Sequence, residues 1–311
     1  MSIEHASVRA LPKPWGVSNL QPWSSIDGSG DAVGELWFER ADCDAPAPAL
    51  LLKLLFTSAP LSIQVHPDDT FARAMGMPNG KSEAWYILSA EPGAQIGVGL
   101  TRRITPQELY AAIANGSIVD LVQWRPVAKG DVIFIPAGTI HALGAGIVLA
   151  EIQQRSDTTF RLFDYGRQRE LHVDNGVAVA NAWPLRIPRA AARLTDERTV
   201  LVASQHFVLE LIELPAGSSW ALLADSETWI LVLDGHAAVG LAALSIGRAV
   251  FVSGGRNSIE VGANGLTALV AYPASEPIGS LLHRLSGQPI KPAQTAAAES
   301  SKLTGLAEAH T

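Results

Sequence analysis

The sequence predicts an all-β-dominated fold arranged in two similar halves, and three observations predict it. The 311 residues are 48% hydrophobic yet carry 27 Gly and 19 Pro, a composition of many short strands joined by tight turns. Apolar, β-rich runs punctuated by Gly or Asp recur along the chain. A glycine-spaced pattern in the first half also returns in the second, the mark of an internal repeat.

In chain order, residues 1–40 hold scattered Pro, Gly and Trp and read as a segment wrapped over the core. Residues 48–56 (PALLLKLLF) predict a buried strand and 61–65 the next one. Residues 71–77 predict a short helix closed by Pro78, Asn79 and Gly80, and 84–88 (AWYIL) a strand. The clearest helix is 105–116: Thr105 caps it, Pro106 sits in its first turn, Glu108 completes a capping box, and Asn115-Gly116 ends it. After the turn at 129–131, strands follow at 132–135 and 147–153, with Pro136-Ala137-Gly138 turning between them. The second half repeats the style with strands at 207–213, 228–233, 249–252 and 266–272. From Pro292 the chain is Ala- and Ser-rich, with little to bury.

Composition bounds the partners. A net charge of −7 argues against nucleic acid or an anionic membrane, and an anionic small substrate would need a local basic patch set against that background. The single cysteine, Cys43, rules out an intramolecular disulfide and suits a reducing compartment. The start MSIEHASVRALPKPWG lacks a signal-peptide pattern, and no apolar run reaches bilayer length, so the expectation is a cytoplasmic protein without a membrane partner.

The chemistry concentrates in a few stretches. In residues 61–69 (LSIQVHPDD), Gln64 and His66 stand two apart, so a strand presents both on one face as a donor pair. Glu83 in GKSEAWYIL and His141 in GDVIFIPAGTIHAL supply the other half of a metal site. Gly130, Pro136, Gly138 and His141 form G-x5-P-x-G-x2-H, which resembles the second metal-binding motif of the cupin superfamily of β-barrels. Gly247, Ser253, Gly255 and Ser258 keep the same spacing with proline and histidine both replaced by serine. The expected fold is therefore two cupin-like (jelly-roll) β-barrels with a small helical insertion and a mobile C-terminal tail. Residues 1–185 would form a metal-binding catalytic domain, 186–285 a second barrel without metal ligands, and 286–311 a poorly ordered tail.

Together LSIQVHPDD, GKSEAWYIL, GDVIFIPAGTIHALG and EIQQRSDTTFRLFDYGR resemble type I mannose-6-phosphate isomerase, in its short bacterial form, over roughly residues 10–275. One departure is Trp15-Gly16-Val17, where such enzymes usually show a second glycine. The resemblance implies one zinc per chain on Gln64, His66, Glu83 and His141, and a catalytic arginine at Arg161. Two imidazoles, a carboxylate and an amide oxygen also suit Zn2+ on chemical grounds, Gln64 being either a ligand or a supporting group.

The implied reaction interconverts mannose 6-phosphate and fructose 6-phosphate through a cis-enediol, with a small phosphosugar as partner and a monomer or weak homo-oligomer as the assembly. Arg161 would stabilise the developing charge, and either Lys81 or Asp157 would move the proton, Lys81 if desolvation lowers its pKa. Arg155 is a candidate for the phosphate. His172 reads as structural, and His206 and His236 receive no role. The alternatives are an isomerase of a related or unphosphorylated sugar, a non-catalytic sugar-binding cupin, and an iron-dependent dioxygenase. Gln64 in place of a first histidine argues against the last.

Overall fold

The apolar run predicted as a strand forms Leu50–Thr57, buried at every position because it lies inside a sheet. In this computed structural model, which describes residues 3–26, 30–185 and 191–285, it pairs with Val33–Glu39 on one side and Ile147–Gln154 on the other. The six-stranded sheet continues outward to Ser7–Val17 at one edge, and to Glu83–Ala90 and Val132–Ile135 at the other. A five-stranded sheet contains Phe160–Phe163, Ile63–Val65, His141–Leu143, Gln95–Leu100 and Val122–Pro126, in that spatial order. Two sheets of alternating inward and outward residues make the jelly-roll-like layer pair expected of the first half.

The second half forms a ten-stranded sheet system centred on Thr228–Val239 and the long strand Gly255–Tyr272. The repeat holds in register. The strands Val132–Ile135 and Ala249–Val252 are each four residues long and each begins two residues after a left-handed glycine, Gly130 or Gly247. Their inner positions differ. Where the first half gathers metal-type donors, the second buries Arg198 against Glu210, with Tyr272 donating to the same carboxylate at 2.5 Å.

Several expectations are corrected. Residues 1–40 do not wrap over a core: Ser7–Val17 and Val33–Glu39 are sheet strands, and Leu36 and Phe38 are core residues. The prolines of Ser7–Val17 are accommodated at an edge, where that strand has a free side and register breaks near Pro12. Ile3–His5 crosses to the second half and pairs with Ala249–Val252. The helix expected at 71–77 starts earlier, at Asp69–Ala74, because Asp68 caps it by accepting from Phe71 N at 2.8 Å. The helix Pro106–Asn115 has the expected capping box and a left-handed Gly116. Strands Gln95–Leu100 and Ser219–Ala224 and helix Val173–Val179 have no counterpart in the sequence reading. The predicted tail, 286–311, lies outside the described residues.

One core joins the halves. Phe38, Leu52 and Phe56 from the first belong to the same buried cluster as Phe207, Trp229 and Phe251 from the second. Each such side chain contributes roughly 1.5–3 kcal/mol by leaving water. The six-stranded sheet thus turns its other face, with Lys53, Glu83 and Glu151, towards the site.

Candidate active site

His66 follows directly on the strand Ile63–Val65, and its carbonyl accepts the Gly138 N–H at 2.8 Å. That bond ties the first donor segment to the Pro136–Gly138 corner, three residues ahead of His141. Gly138 needs its left-handed φ of 84°, and a Cβ there would meet Asn181 Nδ2 at 2.6 Å. Glu83 opens the strand Glu83–Ala90, opposite Ile135 and Gln153. The intervening insertion is drawn closed by Asp69, which accepts from Gly80 N at 2.8 Å and Gln154 Nε2 at 3.0 Å.

His66, Glu83 and His141, each 1% exposed, converge with ligand atoms within 4.8 Å of one another. His66 Nδ1 donates to Thr158 O at 2.9 Å and His141 Nδ1 to Thr139 O at 2.8 Å. Each ring proton is thereby spent on a carbonyl, which leaves the Nε2 lone pairs facing inward. Each Nε2 stands 3.4 Å from a Glu83 oxygen. His66 Nε2 and both Glu83 carboxylate oxygens have no hydrogen-bond partner although fully buried. Lys81 reaches only one of these oxygens, at 3.2 Å, so lone pairs facing the buried carboxylate remain costly unless a further cation sits among them. Burial, with the Lys81 cation, pushes His66 down to about 3, and burial also lowers His141, so both are neutral imidazoles suited to ligation. Against burial, the Lys81 cation holds Glu83 well below the usual carboxylate range. The donor set fits zinc, two imidazoles and a carboxylate leaving room for a further ligand.

Gln64 lies beside the group. It lies opposite His141 in one strand pair and opposite Arg161 in another. Its Nε2 stands 3.2 Å from His141 Nε2, and its Oε1 accepts from Ser62 Oγ at 3.1 Å. A half-turn of the amide would present the oxygen to a metal and leave Nε2 to donate to the serine.

A cleft of about 220 Å³ opens beside this group. It brings together Gln64, Lys81, Asp157 and Arg161, all anticipated from the sequence. Lys81 Nζ is 3.2 Å from Glu83 Oε2. Burial opposes its charge, but Glu83, Glu151 and Asp157 outweigh burial and raise its pKa above the ordinary value. Burial therefore does not lower the Lys81 pKa in this arrangement, and the ammonium lines the cleft beside Glu83. Arg161 donates through a terminal amine to Glu170 O at 2.6 Å, while its Nε is buried without a partner. Arg155 lines a separate smaller cavity with Arg9 and Asp157. His172 Nδ1 accepts from Arg161 N at 3.3 Å, a contact that braces the strand.

The sequence reading missed several cleft residues. Lys53 is 3% exposed, pairs with Glu151 at 3.3 Å and lies 4.4 Å from the centre of the Trp37 ring. Lys13 pairs with Glu35 at 3.0 Å. Burial and the nearby Glu83 charge push Glu151 up. A lysine within the apolar run LLLKLLF was the available signal, since a lysine is rarely buried without a task or partner. Counted by formal charge, the cleft lining carries five cations (Lys13, Lys53, Lys81, Arg161, Arg169) against three carboxylates (Glu35, Glu151, Asp157). It is locally positive in a chain of net charge −7.

No protein-family model matches the chain. Mannose-6-phosphate isomerase of Streptococcus mutans is 39% identical over 172 residues, 51% of this chain and 53% of that protein. The chain thus spans about half the length of the curated relatives it matches. The crystal structure of the mannose 6-phosphate isomerase from Bacillus subtilis superposes with a TM-score of 0.75 at 24% identity, covering 88% of this chain and 100% of that one. A mannose 6-phosphate isomerase bound with zinc and yttrium gives a TM-score of 0.68 at 15% identity, covering 88% and 100%. The resemblance read in the four motifs is borne out in sequence by the first of these, and the all-β fold is shared with the other two.

Proposed function

We propose that this chain is a zinc-dependent aldose–ketose isomerase interconverting mannose 6-phosphate and fructose 6-phosphate. The observation that carries this reading is the fully buried His66–Glu83–His141 group, with unpartnered lone pairs, opening beside a locally cationic cleft. The similarity to proteins named mannose-6-phosphate isomerase supports the choice of substrate.

His66, Glu83 and His141, with Gln64, would hold one zinc, which supplies Lewis-acid polarisation and orientation of substrate oxygens. The Lys81 ammonium, fixed by Glu83, donates a hydrogen bond to a substrate oxygen near C1 or C2. Asp157, on the cleft wall, takes the proton from one carbon and returns it to the other. Arg161 stands over the strand that carries Gln64, where its unpartnered Nε stabilises the negative charge of the cis-enediolate. The cationic surplus of the lining draws in the dianionic sugar against the field of the whole molecule.

The test is conversion of mannose 6-phosphate to fructose 6-phosphate by the purified chain, before and after chelation and with zinc restored. Chelator-sensitive turnover recovered by zinc is the expected result. Isomerisation of free mannose alone would overturn the substrate, and no turnover by the metal-loaded protein would overturn the activity.

A further inference from the structure

Resting on that reading, we infer that the consecutive amides of Gln153 and Gln154 are positioning residues, which fix Lys81 and Asp157 relative to one another in the cleft. Both cleft residues lie on short irregular segments, 80–82 and 155–159, and not on strands. The two glutamines that end the strand Ile147–Gln154 grip those segments from behind. Neither glutamine lines the cleft, so both act through other residues.

Gln154 holds the first segment. Its Oε1 accepts from Ser82 N at 2.9 Å, and its own N–H donates to Ser82 O at 3.1 Å. Its Nε2 donates to Asp69 Oδ1 at 3.0 Å, the oxygen that also accepts from Gly80 N. Lys81, between Gly80 and Ser82, donates its N–H to Pro67 O at 3.0 Å. Three consecutive backbone N–H groups therefore meet fixed acceptors, which limits where the Lys81 ammonium can stand. Gln154, 7% exposed, joins two of the three.

Gln153 holds the second segment. Successive strand residues leave the backbone in opposite directions, so its amide serves the other side. Its Nε2 donates to the carbonyls of Gln154 and Ser156, the latter directly before Asp157. Thr158 O, in the same loop, accepts from His66 Nδ1, so the loop also steadies a metal-type donor. Gln153 is fully buried, and its Oε1 has no partner. Methionine would fill that space without stranding an acceptor, so the contribution of the amide is its donor.

Gln154→Met and Gln153→Met nearly keep side-chain volume and remove these bonds. With zinc restored to saturation, each is expected to lower kcat for mannose 6-phosphate at least about tenfold while KM changes less than about threefold, because misplacing a reacting group costs rate more than affinity. Hydrogen exchange read by mass spectrometry is expected to quicken in residues 78–84 for Gln154→Met and in 155–159 for Gln153→Met. Should Gln154→Met fail to fold by circular dichroism, Gln154→Glu carries the test. It sets two carboxylates face to face, and Asp69→Asn added to it restores a donor. Recovery of kcat in that double variant supports the bracket, and no recovery overturns it. Unchanged kcat in the folded variants would overturn the bracket and leave the isomerase reading standing. A loss carried by KM, or exchange quickened throughout the chain, would overturn it too and make both glutamines merely structural. If the wild-type chain turns over no sugar, the isomerase reading falls, while segment-selective exchange still supports the bracket and uniform exchange overturns it.

Discussion

Gln64 stands directly opposite Arg161 across the pairing of Ile63–Val65 with Phe160–Phe163, and directly opposite His141 on its other side. One short strand therefore places the amide between the metal-type donors and the cation expected to meet reaction charge. The backbone of Arg161 is placed by strand pairing, with a register shift between it and Phe163, and its side chain is held by the Glu170 carbonyl.

This placement predicts a large effect on catalysis with little on folding. Arg161→Ala should lower kcat by about 10²–10³-fold, the usual loss for one preorganised donor to a developing oxyanion. Steady-state kinetics with circular dichroism as a control checks it. An effect confined to KM would assign Arg161 to binding alone.

The metal group predicts graded losses. His141→Ala and Glu83→Gln should leave the purified protein without stoichiometric zinc, because one removes a buried donor and the other the only negative charge of the group. Gln64→Leu should retain zinc with affinity reduced by about 10–100-fold, the scale of a supporting group. Elemental analysis after dialysis against a chelator orders the three variants, and equal loss in all would promote Gln64 to an obligate ligand.

Asp164 predicts a feature in acid. Burial alone would raise its carboxyl, but the Arg169 and Arg167 contacts outweigh burial and bring it below its ordinary value of 3.8. A carboxyl depressed in the folded state contributes stability that is present above its unfolded pKa and lost as pH falls through the folded one. Chain stability should thus decline below roughly pH 4 in part through Asp164. Urea unfolding of wild type and Asp164→Asn across pH 3–6 should show curves that converge at the acid end. Parallel curves would remove Asp164 from the account.

The second half predicts a purely structural loss. Glu210 is fully buried and holds Arg198 through two bonds, while Arg198 reaches the carbonyls of Ile278 and Gly279. Glu210→Ala strands a buried guanidinium and should cost about 3–5 kcal/mol. Denaturant unfolding measures the loss, and zinc content of the remaining folded protein should be unchanged, since the metal group draws on none of these residues.

Much of this molecule was legible in its sequence because the signals are local. The period and turn chemistry around 48–56, 132–135 and 147–153 specify strands without knowing their partners, and Thr105 with Glu108 specifies a helix start in four residues. The G-x5-P-x-G-x2-H spacing likewise marked His141 as a donor, since its corner is built from consecutive residues. Edge strands such as Ser7–Val17 escaped, because Pro and Gly there are tolerated only where one side of the strand needs no partner.

What the sequence determined by itself is the fold class, the repeat and the candidate donors Gln64, His66, Glu83 and His141. What only the tertiary structure decided is which lone pairs face which carboxylate, the sign of the shift at Lys81, and the company of Lys53, Glu151 and Arg169 in one cleft. The physical reason is range. Backbone preference and side-chain periodicity act over a few residues, whereas burial and Coulomb attraction depend on neighbours brought together from strands far apart in the chain.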